Sequence, residues 1–231
     1  MVRGFLIGGG AAAIAGFFLV PWAQDRGMVG LLTVGHAFRD GGIGCLIGAA
    51  MSLASSYFGK FRVRNRLLRE LHLRGDETVL DVGCGHGLLL IAAAKQLTRG
   101  RAIGIDLWSQ KDQSSNSREA TLRNAELEGV ADRVEVRDGD MRKLPFADRS
   151  FDAAVAHFAI HNIPGHEGRR EAIREIVRAL KPGGQVALSD LKSVGLYANE
   201  LRKSGMSDVR IFGPSFWTWP PSRTVIAKKP G

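Results

Sequence analysis

The chain has 231 residues, of which 45% are hydrophobic and 24% are charged, and its formal net charge is +9. This composition excludes a disordered chain, and the length suits one α/β domain with an additional segment. The positive charge permits nucleic acid, an anionic membrane or an acidic substrate as partner, so the placement of the basic residues has to decide. Cys45 and Cys84 indicate neither a disulfide framework nor a metal site, and favour a reducing compartment.

Two uncharged apolar runs lie near the N-terminus. Residues 4–23 extend over 20 positions without a charge, about the length of a membrane-crossing helix, and residues 41–58 form a second run of 18. The polar stretches "QDRG" and "HAFRD" separate the two runs. We expect a transmembrane helical hairpin over residues 1–58 and a second domain over residues 59–231. A signal peptide at the N-terminus and a re-entrant or buried second segment are the alternatives.

A basic cluster follows the second apolar run directly. Its members are Lys60, Arg62, Arg64 and Arg66. Basic residues just past an apolar helix mark the cytoplasmic side of a membrane, and they favour anionic lipid head groups. We therefore expect a membrane protein whose second domain faces the cytoplasm, and this cluster accounts for part of the positive charge.

Small residues recur at helix-packing spacing within the two apolar runs. Close contact between membrane helices favours such residues, but glycine and alanine are also common in apolar helices. The spaced pairs are Gly4 with Gly8, Ala12 with Gly16, and Gly44 with Gly48.

From about residue 61 the chain alternates between strand-like and helix-like segments. Such alternation predicts an α/β, Rossmann-like doubly wound sheet with helices on both faces. The last two strands are joined without a crossover helix, so we expect a mostly parallel sheet with one antiparallel strand near the C-terminus. The predicted strands are 78–83, 102–107, 133–139, 151–158, 184–190, 208–213 and 223–229, and the predicted helices are 87–98, 114–128, 167–180 and 195–204.

The segment "DVGCGHG", residues 81–87, places three glycines between a predicted strand and a helix. A glycine turn there lets the backbone approach a ligand closely, at the sheet edge where such folds bind ligands. Asp106 ends the next strand, where a carboxylate can accept both hydroxyls of a ribose. No lysine follows the turn, which argues against a P-loop, and Leu88 occupies the third glycine position of a dinucleotide fingerprint. These features together predict a cofactor that contains adenosine.

Several motifs in the right order resemble one family. They are "VLDVGCGHG", "IGIDLW", "DGDMRKLPFADRSFDAAVAHFAIHNI" and "REIVRALKPGGQVALSDL". The chain from about 61 to 229 resembles the class I S-adenosylmethionine (SAM) methyltransferases, in particular the small-molecule branch related to quinone-biosynthesis enzymes. The resemblance implies SAM as the cofactor and methyl transfer as the reaction, but it does not specify the substrate.

The resemblance also implies how the cofactor is held. The glycines would let the backbone pass close to the methionine part of SAM. Asp81 would hold the amino group of that part, and Asp106 would bind the ribose. Leu107, Asp140 and Met141 would contact the adenine, and His157 would end the fourth strand near the methyl group. The residues assigned to the cofactor are thus Asp81, Gly83, Gly85, Gly87, Asp106, Leu107, Asp140, Met141 and His157.

Methyl transfer from a sulfonium needs mainly alignment and desolvation, and needs a base only if the acceptor carries a proton. His157 and His161 are the candidate catalytic bases, because histidine titrates near neutral pH. A role in packing or in support of the cofactor is the alternative for each.

The acceptor is expected to be a small, lipophilic molecule. Methyltransferases that act on amino groups of nucleic acid typically carry an Asn/Asp-Pro-Pro-Tyr/Phe motif after the fourth strand, where this chain has "HFAIHNIP". We therefore expect no nucleic-acid partner. The short segment "DLKSVGLY" leaves the substrate pocket open or completed by another element, and the aromatic "SFWTWPP" suits either a membrane interface or packing on the protein itself.

The sequence thus predicts a membrane-anchored SAM-dependent methyltransferase. A non-catalytic SAM-binding or membrane scaffold protein and an NAD-dependent oxidoreductase are the alternatives. The sequence does not specify the oligomeric state.

Overall fold

In a computed structural model, which describes residues 2–109 and 115–231, the chain divides into two compact units. The first unit comprises the N-terminal residues through Lys60 together with Trp217–Pro220. The second unit comprises Phe61–Phe216 and Pro221–Gly231. The first residue of the predicted helix 114–128 lies outside the described residues.

The first unit is built on two long apolar helices, α1 (Val2–Asp25) and α2 (Val29–Ala54). A short turn joins them, so "HAFRD" lies inside α2, and its expected position between two helices is wrong. Helix α2 tolerates this polar segment because it contains no proline, and because Arg39 Nε pairs with Asp40 Oδ1 at 2.9 Å. By length and composition alone, Gly4–Asp25 and Val29–Glu70 are each sufficient to cross a membrane.

The two helices contact each other through small residues. A Cβ atom on Gly42 would overlap the backbone of Ala13, and a Cβ atom on Gly16 would overlap that of Arg39. Of the pairs that the spacing suggested, Gly16 lies in this contact. By contrast, Gly4, Gly8, Gly44 and Gly48 have no neighbour within 4 Å of an added Cβ atom. The spacing identifies a helical stripe, but only packing decides which stripe faces the neighbouring helix.

The loop Trp217–Pro220 belongs to the same unit as the helices. It packs against a π-helical turn at Ser55–Gly59, where the Trp219 N–H donates to Ser55 Oγ at 3.0 Å. A Cβ atom on Gly59 would overlap the carbonyl oxygen of Trp217. Trp217 and Trp219 remain 55% and 41% exposed. The aromatic loop therefore packs on the end of the hairpin while much of its indole surface stays exposed to solvent.

The second unit contains a seven-stranded sheet in the order β3-β2-β1-β4-β5-β7-β6. All neighbours are parallel except that β7 runs antiparallel to both β5 and β6. The predicted mostly parallel sheet with one antiparallel strand is thus confirmed. The strands are β1 (Thr78–Val82), β2 (Arg101–Asp106), β3 (Val134–Asp138), β4 (Phe151–His157), β5 (Leu180–Asp190), β6 (Ser207–Ser215) and β7 (Ser222–Lys228).

Helices cover both faces of this sheet. On one face Val155 and Ala187 pack with α3 and α4, and on the other Ala156 and Leu188 pack with α6 and α7. This alternation follows from the two-residue period of a strand. The helices of this unit are α3 (Lys60–Glu70), α4 (Leu88–Ala94), α5 (Arg118–Leu127), α6 (His166–Ala179) and α7 (Val194–Lys203), with 3₁₀ turns at Ala131–Arg133 and Ile160–Asn162.

Helix α5 begins later than predicted because Ser117 caps it. The Ser117 side chain accepts the N–H of Ala120 at 3.1 Å.

The order of the strands reverses at the centre of the sheet, between β1 and β4. From β1 the chain continues to β2 on one side, and from β4 it continues to β5 on the other side. The carboxyl ends of β1 and β4 therefore form the crevice where open α/β sheets bind ligands.

Candidate functional site

The glycine turn after β1 closes across the end of β2. The N–H groups of Gly83 and Cys84 both donate to the carbonyl oxygen of Ile105, at 2.8 and 3.1 Å. Gly83 has φ 73°, and an added Cβ atom there would overlap the Ala159 side chain and lie 3.3 Å from Met141 Cε. The glycine turn, the segment after β3 and the segment after β4 therefore converge at one point.

Asp106 lies at the end of β2, as predicted, and its carboxylate is aligned by several donors. Oδ2 accepts the N–H of Gly85 at 2.8 Å, and Oδ1 accepts the N–H of Trp108 at 2.7 Å. The Asn116 amide donates to Oδ1 at 3.3 Å. Trp108 in turn donates its indole N–H to Asp138 at 2.7 Å. Sequence reasoning missed Trp108 and Asn116, which fix the orientation of the Asp106 carboxylate.

Asp81 is only 2% exposed and lies beside the N-terminal turn of α4. Its Oδ2 accepts the N–H of Leu90 at 2.8 Å. Burial raises the pKa of Asp81 to about 7, and the charge of Asp106 adds to the effect. Within residues 2–109 and 115–231, no basic side chain lies at ion-pair distance from Asp81 or Asp106. Both carboxylates accept hydrogen bonds, but their negative charges are not balanced by a cationic group in these ranges, so the pair fits a ligand that carries positive charge and hydroxyl groups.

The residues expected to contact the adenine differ in their surroundings. Leu107 is 61% exposed, so its apolar side chain is free to pack on a planar ring. Asp140 forms an ion pair with Arg142, with Nη2 and Oδ2 2.5 Å apart, and this hydrogen bond lowers the pKa of Asp140. The adenine contact of Asp140 stays a prediction, and a ligand would share the carboxylate with Arg142.

His157 ends β4, as predicted. Both ring nitrogens are buried and have no hydrogen-bond partner in the described part of the chain. The ring stacks on Phe158 with centroids 3.9 Å apart, and Phe158 has φ 56°, which is unusual for a bulky side chain. Burial lowers the pKa of His157 to about 4, so the ring is neutral at physiological pH.

His161 lies beside an aspartate that sequence reasoning missed. Its Nδ1 is 2.5 Å from Oδ1 of Asp190, which is 2% exposed at the end of β5. Asp190 Oδ2 also accepts the backbone N–H of His161 at 3.0 Å and the hydroxyl of Tyr197 at 3.0 Å. Burial and the charge of Asp190 raise the pKa of Tyr197, which keeps its hydroxyl protonated as a donor. The available signal was an acidic residue at the end of a predicted strand, the same pattern that identified Asp106.

Metal binding has no support in this part of the chain. In the described ranges, no group of three or more His, Cys, Asp and Glu side chains is arranged to hold a metal ion.

Part of the chain is similar to known methyltransferases. Residues 80–188 match a family model described as a methyltransferase domain. The demethylmenaquinone methyltransferase of Lactiplantibacillus plantarum is 35% identical over 124 residues, which are 53% of this chain and 48% of the relative. The 27-O-demethylrifamycin SV methyltransferase of Amycolatopsis mediterranei is 34% identical over 131 residues, or 56% of this chain and 44% of the relative. The chain spans about half the length of the curated relatives that it matches.

Solved structures share the fold. A SAM-dependent methyltransferase from Aquifex aeolicus superposes with a TM-score of 0.57 at 22% identity, covering 71% of this chain and 88% of the other. The [4+2]-cyclase SpnF superposes with a TM-score of 0.58 at 21% identity, covering 74% and 81%. The second example belongs to a protein named for a different reaction, so the fold alone does not specify the chemistry.

Proposed function

We propose that this chain, which carries a class I SAM-dependent methyltransferase domain, transfers the methyl group of SAM to a small, lipophilic acceptor at a membrane surface. The observation that carries the proposal is the pair of carboxylates at the glycine turn, Asp81 and Asp106, without a cationic partner in the described residues. SAM offers a positive charge and ribose hydroxyls, which are the groups that such a pair would bind.

Bound SAM supplies a methyl group on a positively charged sulfur, which is an activated leaving group. The protein residues orient the cofactor and exclude water. We assign the ribose to Asp106, whose carboxylate is already aligned by backbone donors, and the amino group to Asp81. Leu107 and Met141 provide apolar contact for the adenine. A binding site aligned in this way lowers the entropic part of the barrier to an in-line transfer.

We propose a quinone-type or similarly lipophilic acceptor. Two relatives are named for what they methylate, which is demethylmenaquinone in one and 27-O-demethylrifamycin SV in the other. In this chain only residues 191–193 separate β5 from α7, so this segment leaves the acceptor side open. Nothing in this arrangement favours a nucleic acid.

If the acceptor carries a proton, we propose His161 as the group that removes it. Its Nδ1 faces Asp190, which leaves Nε2 on the opposite side of the ring as the atom that takes the proton. Asp190 would then stabilise the charged imidazolium. Because burial lowers the pKa of His157 to about 4, His157 is a poor base at neutral pH.

The test of this function uses the full chain purified in detergent. Calorimetric titration with SAM, S-adenosylhomocysteine and NAD should give binding of the first two ligands only. Methyl-labelled SAM should then transfer its label to reduced demethylmenaquinone or to a lipid extract. Binding of SAM without any transfer would favour the scaffold alternative or a different reaction, and binding of NAD alone would favour the oxidoreductase.

We further propose that α1 and α2 anchor the domain in a membrane with the site facing the cytoplasm. Outward apolar side chains such as Ile7 and Phe18 are 75% and 77% exposed, which suits contact with lipid. The basic cluster after α2 supports the cytoplasmic orientation through the charge rule.

Fractionation tests the anchor. The full chain should remain with membranes after alkaline extraction, whereas a chain without residues 1–58 should be soluble and should still bind SAM. A second truncated chain with Trp217 and Trp219 changed to serine controls for the indoles that lose their helical contact. A full chain that is soluble without detergent, or truncated chains that both fail to fold, would contradict the anchor.

A further inference from the structure

The face of the sheet that carries His157 also carries a second buried polar group without a partner. His157 and Ser189 are register partners on the parallel strands β4 and β5, so their side chains leave the same face of the sheet side by side. Ser189 is 1% exposed, and its Oγ, like both ring nitrogens of His157, has no hydrogen-bond partner within the described ranges. Buried polar atoms are nearly always hydrogen-bonded, so two neighbouring exceptions need an explanation.

We propose that His157 and Ser189 form a subsite that binds an oxygen atom of the methyl acceptor, a ring hydroxyl or carbonyl of an aromatic or quinol-type molecule. The proposal rests on the proposed function for the identity of the occupant. A neutral imidazole offers one donor and one acceptor, and a serine hydroxyl offers both, so together they match a hydroxyl or a carbonyl. Because both groups are uncharged, they favour a neutral oxygen atom of the acceptor over an ionic group.

The surroundings of the pair favour a ligand with an apolar body. Across the same face, Ser189 pairs with Thr224 on β7, and Thr224 pairs with Phe212 on β6. The row of side chains therefore runs from polar groups at β4 and β5 to an aromatic ring at β6. Arg66 of α3 lies over that ring, with its guanidinium carbon 4.9 Å from the centroid. A lipophilic ring system with an oxygen at one end fits this order of groups.

The position of the pair relative to the cofactor site supports a role for it in acceptor binding. Asp81 lies on the same face as His157, because Val79 and Val155 both belong to the core on this side. Ala159, two residues beyond His157, closes on Gly83. Strain also concentrates here, since Phe158 keeps a left-handed φ while its N–H donates to the Ser189 carbonyl oxygen at 2.9 Å. Strained backbone of this kind clusters at binding sites.

The test compares two ligands that differ only at the oxygen. Binding of 1-naphthol and of 1-methylnaphthalene is measured on the full chain in detergent, saturated with S-adenosylhomocysteine. After correction for the partition of each ligand into micelles, the native chain should bind 1-naphthol with at least roughly tenfold higher affinity than 1-methylnaphthalene. The quantity compared between variants is this ratio of affinities. In Ser189→Ala and in His157→Phe this ratio should fall close to one, and Ser189→Ala should keep the native affinity for SAM.

Ser150→Ala is the matched control, because Ser150 precedes β4 at the end opposite His157 and its hydroxyl bonds to the Ala147 carbonyl oxygen at 2.7 Å. It should keep the native ratio. Ser189→Ala is the variant expected to fold, since removing an unsatisfied hydroxyl costs little. A native ratio in Ser189→Ala and His157→Phe would overturn the subsite and assign the two groups to a buried water. Because no turnover is measured, loss of methyl transfer in the native chain would refute the proposed function without deciding this result.

Discussion

The buried carboxylate of Asp81 gives a prediction that the structure makes quantitative. Asp81→Asn keeps an oxygen that can accept the N–H of Leu90, but it removes the charge. In the native chain the folded state raises the pKa of Asp81 from 3.8 to about 7. The folded state therefore holds its proton more tightly than the unfolded state, so the native chain loses stability as pH rises from about 4 to about 7.

The expected size follows from this shift. About three pKa units at roughly 1.4 kcal/mol each amount to about 4 kcal/mol of lost stability above pH 7. More than half of this loss develops between pH 5 and pH 8, because at pH 5 the unfolded aspartate is already ionised. Asp81→Asn has no such loss. The free energy of unfolding of Asp81→Asn, relative to that of the native chain, should therefore be higher at pH 8 than at pH 5 by roughly 2 to 3 kcal/mol.

Pulse proteolysis in urea, on detergent-solubilised chains without cofactor, measures the difference at pH 5 and pH 8. Asp132→Asn, which changes an aspartate that is 72% exposed, serves as the control and should follow the native chain. The same Asp81→Asn chain should bind SAM roughly tenfold or more weakly, since a charge-assisted hydrogen bond is lost. An equal stability difference at both pH values would refute the argument that Asp81 is a buried carboxylate without a cationic partner.

Three further predictions concern the site. Asp106→Ala should weaken SAM binding by roughly ten- to a hundredfold in calorimetry without unfolding the domain, because it removes the aligned acceptor for the ribose. Gly83→Ala should lower the thermal midpoint more than Gly183→Ala, since both glycines have positive φ but only the Gly83 Cβ atom would overlap Ala159. With a hydroxyl acceptor, His161→Gln should lower turnover by about a hundredfold and remove the acidic limb of the pH–rate profile, with little change in SAM affinity.

Each of these has a clear contrary result. Native SAM affinity in a folded Asp106→Ala chain would remove the ribose contact from this residue. Equal thermal midpoints for the two glycine variants would mean that the segment after β4 does not close on the turn. An unchanged pH–rate profile in His161→Gln would leave alignment as the source of the rate.

Sequence patterns were enough to predict the order of elements and the approximate carboxyl ends of the strands, although β5 begins at Leu180 and not at 184. Strand and helix periods differ, so alternation alone predicted the doubly wound sheet, its antiparallel strand and the position of His157 at the end of β4. Asp106 was predicted to bind a ribose because parallel strands bring their carboxyl ends to one edge, whereas the role of Asp81 was implied by the family resemblance, and both roles stay predictions. Such local patterns need no knowledge of distant neighbours.

Which side chains contact each other depends on tertiary packing. The contact of His161 with Asp190 joins segments that lie far apart in sequence, and no spacing rule connects them. Ser189 emerged as a partner of His157 through the register of β4 and β5, which depends on packing of the whole sheet. The contact between the two apolar helices also depends on packing, since Gly42 faces α1 whereas Gly44 does not. A sequence period fixes the separation of faces on a helix or strand, but the orientation of each face is set by the neighbour it packs against.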